Sequence, residues 1–114
     1  MKYRHSFHAG NFADVHKHVT LLALLAALKR KDKGFLYLDT HAGRGAYTVR
    51  GESHGGSPHE AEAGVERIAA TRFRAEELQR YVQAIAEFRA ARHEARAYPG
   101  SPLLAARNSA IACT

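Results

Sequence analysis

The apolar positions of this chain fall into separate groups, divided by polar, glycine-rich or proline-bearing stretches. After Asn11, Val15, Val19, Leu22, Leu25 and Ala26 recur at three- and four-residue spacing, which marks one face of a helix. Leu21, Leu24 and Leu28 widen that face and predict a largely buried helix. Asn11 is placed as the N-cap, and Asp14, three residues on, stands where a capping box has its acid. Lys29, Arg30, Lys31 and Lys33 suit the negative C-terminal end of this helix, and Gly34 its stop.

The period then changes. Phe35 to Asp39 is a near-continuous apolar run ending in an acid, which predicts a strand covered on both faces, as in a parallel sheet. No second convincing strand follows; Val49 stands alone between polar residues. Arg50 to His59 reads as a glycine-rich loop. Two helices are predicted next, over 59–70 and 74–92. The second carries Leu78, Tyr81, Val82, Ile85 and Phe88 as a stripe, with the Glu76–Arg80 pair on its solvated face. Tyr98-Pro99-Gly100-Ser101-Pro102 reads as a turn into a last helix. Ser101 is its N-cap, Pro102 its first residue, and Leu103 and Leu104 anchor it.

Composition bounds the function. At 114 residues the chain holds one domain with a modest core. Its net charge of +6 points to an anionic partner, nucleic acid first, although a solvated basic surface would look the same. The single cysteine, Cys113, excludes an internal disulfide and suits a reducing cytosol. Val19 to Leu28 is too short to span a bilayer, and Lys29-Arg30-Lys31 stands where a signal peptide needs small residues.

Candidate chemistry centres on Asp39-Thr40-His41-Ala42-Gly43-Arg44-Gly45. A P-loop would need Lys-Ser or Lys-Thr after its glycines, and a dinucleotide fingerprint would need a glycine at Thr48. What remains is the acid-then-glycine loop of S-adenosylmethionine methyltransferases, or a plain strand-to-turn connection. Ser101 at a helix start offers an anion site or simply a cap. His16 and His18, two residues apart on a helix, point away from each other, and no metal-ligand cluster is expected. His18 and His41 each offer an imidazole to a polar ligand, or serve the structure alone. Tyr3, Arg4 and His5 form a basic, aromatic arm suited to phosphates and unpaired bases, or a frayed terminus.

Taken together, Tyr3 to Asn11, Asp14, Lys17-His18, Phe35 to Gly43 and Tyr98-Pro99-Gly100-Ser101-Pro102 resemble the bacterial 23S ribosomal RNA adenine-N6 methyltransferases of the RlmJ type. The resemblance runs from the N-terminus to about Leu104. It implies an α/β fold, a Rossmann-like S-adenosylmethionine methyltransferase with a helical insertion. This segment would be mostly helical, with one clear strand at 35–39. Residues 1–49 would hold the arm, first helix, first strand and glycine loop. Residues 50–97 would be the insertion, and 98–114 a shortened return helix.

By the same resemblance the methyl donor is S-adenosylmethionine and the acceptor is the N6 of an adenine in 23S rRNA. His18, His41 and Ser101 match cofactor contacts, and Tyr3 matches an RNA-facing residue. No metal, membrane or protein partner is implied, and the setting is cytoplasmic. The family is more than twice as long, and its catalytic Asp-Pro-Pro-Tyr motif is not found here. The three prolines follow Ser57, Tyr98 and Ser101. The segment is therefore expected to hold no catalytic residue, to be inactive alone, and to represent a truncation or an interrupted reading frame. The alternative is a non-enzymatic basic helical RNA-binding module.

Overall fold

The computed structural model describes residues 8–43, 45–49 and 62–108. The arm residue Tyr3, Arg44, the loop expected over 50–59 and the tail after Asn108 lie outside them. The described residues are mostly helical, with one two-stranded sheet.

Helix α1 spans Phe12–Lys29. The Asn11 side chain accepts from the Asp14 amide at 2.9 Å, as an N-cap should. The reciprocal bond goes elsewhere: Asp14 Oδ2 accepts from the Gly10 amide at 3.1 Å, while the Asn11 amide donates to the His8 carbonyl. The acid thus ties down the turn before the helix rather than closing a capping box. Asp14, Val15, His18, Leu22 and Leu25 are buried. Leu24 and Leu28 are not, at 56% and 39% exposed, so the helix is half buried rather than largely so. It also stops before Gly34. From Lys29 to Gly34 every residue is exposed, and with no packed face to sustain another turn the helix frays at Arg30.

The strand expected at 35–39 does not form a ladder. The segment is extended, and Phe35 and Tyr37 turn inward against the core. Leu36 and Leu38 point the other way, 91% and 79% exposed. Extended apolar sequence makes a strand only when a second strand accepts its backbone bonds, and none does so among the described residues.

The sheet forms where no strand was expected. Strands β1 (Ala46–Thr48) and β2 (Ala97–Pro99) pair antiparallel, with Tyr47 opposite Tyr98. Gly100 donates its amide to the Gly45 carbonyl at 2.6 Å, and Val49 to the Arg96 carbonyl at 2.9 Å, extending the pairing at both ends.

The chain between the strands is helical where described. A π-type turn over Glu62–Glu66, kinked at Gly64, runs into the short α2 (Arg67–Ala69), and α3 covers Glu76–Arg92. The α3 stripe is as expected: Tyr81, Ala84, Ile85 and Phe88 are buried. Left-handed His93 (φ 52°) ends it. Arg89 fastens the helix to both neighbours, donating to the Ala97 carbonyl at 2.8 Å and pairing with Glu66. Helix α4, Ser101–Asn108, packs on α1, and α1 also packs on α3. One core results, built of Leu22, Leu25, Val65, Tyr81, Ile85, Tyr98 and Leu104 among others.

Candidate functional site

Asp39 ends the extended segment, and its carboxylate gathers three donors. Tyr37 Oη donates to Oδ2 at 2.8 Å and the His41 amide to Oδ1 at 3.1 Å. The third donor is the hydroxyl of Ser101, from the other end of the chain. Ser101 hence starts α4 without spending its hydroxyl on its own helix; the hydroxyl joins that helix to the 39–45 loop. Its bond is the main reason the Asp39 carboxyl sits below the usual aspartate range. Tyr37, the His41 amide and the charge of Lys17 add to this, against a smaller opposing effect of burial. The Tyr37 phenol moves up, through burial first and the Asp39 bond and charge after it.

Past Asp39 the loop turns on glycine. Gly43 and Gly45 have φ of 68° and 92°. A Cβ at Gly43 would come within 2.7 Å of the Tyr47 hydroxyl. The His41 side chain is exposed, with its Nδ1 2.9 Å from Thr40 Oγ1.

His18 lies elsewhere, in the interior. It is 1% exposed, with Nδ1 2.7 Å from the Tyr98 hydroxyl and Nε2 3.7 Å from Asp14 Oδ1. Tyr81 Oη donates to Tyr98 Oη at 3.5 Å. Burial pushes both phenols far up, so both remain protonated.

The structure therefore brings Ser101 and the His41 backbone together on Asp39, and holds His18 in a buried polar chain with Tyr98. The two clusters meet in sequence, since Tyr98 ends three residues before Ser101. The reading of the sequence missed Asp39 as the hub and the buried polar chain. The available signal was the pair of tyrosines, whose hydroxyls need partners when the rings are buried.

An open hollow of about 320 Å³, lined by Tyr47, Thr48, Arg92 and Glu94 among others, contains none of these residues. Among the described residues no three His, Cys, Asp or Glu side chains are grouped to hold a metal, and no helix is long and apolar enough to cross a membrane.

Similarity to known proteins decides the family. The RsmJ family model, described as ribosomal RNA large subunit methyltransferase D, RlmJ, matches residues 32–111. The chain belongs to the RlmJ family. Two curated relatives are both named ribosomal RNA large subunit methyltransferase J. The Escherichia coli K12 protein is 46% identical over 105 residues, covering 92% of this chain. The Haemophilus influenzae protein is 43% identical over 106 residues, covering 93%. The chain spans 37% of the length of each. Among solved structures, a Legionella pneumophila protein carrying the family designation DUF519 superposes with a TM-score of 0.70 at 38% identity. That match covers 89% of this chain and 36% of the other.

Proposed function

We propose that this RlmJ-family chain is the N-terminal portion of a Rossmann-like methyltransferase that uses S-adenosylmethionine to methylate the N6 of an adenine in 23S rRNA. Residues 1–49 and 98–114 belong to the methyltransferase domain in this reading, and 50–97 to its helical insertion. The segment supplies one wall of the cofactor site, through His18, His41 and Ser101, and an RNA-facing arm bearing Tyr3. It carries no catalytic residue, acts in the cytoplasm and is inactive by itself.

The observation that carries this reading is the Ser101–Asp39 bond, which sets a helix start beside the glycine loop. The residues present fit the cofactor. Gly43 and Gly45 expose bare backbone at positive φ, His41 presents an open imidazole, and Asp39 fixes the positions of the His41 amide and Ser101. Of the three proposed contacts His41 is the exposed one; Ser101 and His18 are committed to Asp39 and Tyr98 in this structure. Once bound, S-adenosylmethionine supplies an electrophilic methyl group on its sulfonium sulfur. The chain's own part is to bind and orient.

The acceptor is the harder problem, because the amine of adenine delocalises its lone pair into the ring. Aiming that nitrogen requires a pocket that stacks the base and bonds its amino group. The Asp-Pro-Pro-Tyr segment that would do so is not in this sequence. Incubation with radiolabelled cofactor and unmodified 23S rRNA should leave the RNA unlabelled. Incorporation of label by this chain alone refutes the assignment of inactivity.

A further inference from the structure

Tyr98 occupies an unusual place. It is wholly buried, yet its ring ends in a hydroxyl that a phenylalanine would lack at no loss of packing. The hydroxyl is matched to its surroundings: Tyr81 donates to it, and His18 Nδ1 lies 2.7 Å away. The imidazole and phenol rings are 5.6 Å apart at 37°, so contact runs through the polar tips rather than through stacking. The backbone of Tyr98 meanwhile pairs with Tyr47 in the sheet and leads through Gly100, bonded to Gly45, into Ser101.

We propose that Tyr98 is a positioning residue of the cofactor wall, whose hydroxyl donates to His18 Nδ1 and thereby fixes the ring's orientation and its Nε2–H tautomer. The proposal rests on the reading of His18 and Ser101 as cofactor contacts. The proton order follows from the donors. Tyr81 gives its proton to the Tyr98 oxygen, so the single Tyr98 proton is directed to Nδ1. Nε2 then carries hydrogen and faces the Asp14 carboxylate, at 3.7 Å. Asp14 is itself anchored to the Gly10 amide, so the chain of contacts runs from the turn before α1 to the start of α4. One tyrosine thereby sets His18 through its side chain and Ser101 through its backbone.

Long-range proton–nitrogen NMR on the wild-type chain at neutral pH reads the tautomer directly and needs no variant. His18 should appear as the Nε2–H form. An Nδ1–H form or an imidazolium overturns the proposal. Tyr98→Phe keeps the ring and removes the hydroxyl. It should return His18 to a mixture of tautomers and weaken S-adenosylmethionine binding, followed by calorimetry, about tenfold, the scale of one lost hydrogen bond. A folded Tyr98→Phe chain with an unchanged His18 spectrum also overturns it. If the wild type binds no cofactor, the cofactor reading fails, while the tautomer still decides the role of Tyr98.

Discussion

The Ser101 hydroxyl donates to the Asp39 carboxylate across 62 residues of chain. It is the contact that fastens α4 to the glycine loop. Ser101→Ala should therefore lower stability by about 1 kcal/mol, a moderate value because Asp39 is partly solvated. The midpoint of urea denaturation reads this. An unchanged midpoint would mean that the loop and helix are held by other contacts.

The same carboxylate predicts a pH dependence. Its folded pKa is depressed, mainly by the Ser101 bond. Its contribution is therefore present above the unfolded value of about 3.9 and lost as pH falls through the folded value. Wild-type stability should decline on acidification below about pH 4. Asp39→Asn should flatten that part of the decline, and Ser101→Ala should shrink it, in melts recorded across acid pH.

Gly64 is fixed by close approach. A Cβ there would lie 2.1 Å from the Gly10 carbonyl oxygen, which accepts the Val65 amide at 2.8 Å. Gly64→Ala should cost about 2–3 kcal/mol by pushing this turn off the start of α1. Hydrogen exchange at the Val65 amide should accelerate with it. Retained protection there would show that the backbone absorbs the methyl group.

Leu36 and Leu38 make the opposite case. Both are exposed, so Leu36→Lys and Leu38→Lys should each change the melting free energy by less than about 0.5 kcal/mol. Leu22→Ala, at a residue 1% exposed, should cost about 2–5 kcal/mol. Comparable losses at Leu36 and Leu22 would mean that the segment is packed.

These contrasts show what the sequence could reveal. Helices α1 and α3 were legible because their stripes and the Asn11 cap are local signals. The segment 35–39 was legible as extended and inward-facing at Phe35 and Tyr37, but its pairing was not, because a ladder depends on a distant partner. Strands β1 and β2 escaped notice because three residues each carry too little pattern, and their pairing is set by Tyr47 meeting Tyr98. At the site, Ser101 was legible as a helix start. Its bond to Asp39 was not, since a cap and a tertiary contact use the same hydroxyl.

Calorimetric titration of S-adenosylmethionine into the wild-type chain and into His41→Ala tests the central claim most directly. The imidazole of His41 is exposed beside Asp39, so its removal should leave the fold intact while weakening binding. The account predicts measurable cofactor binding to the wild type and a loss of at least about fivefold in His41→Ala, the equivalent of one polar contact. Equal affinity in the two chains, or no binding to the wild type, would contradict it.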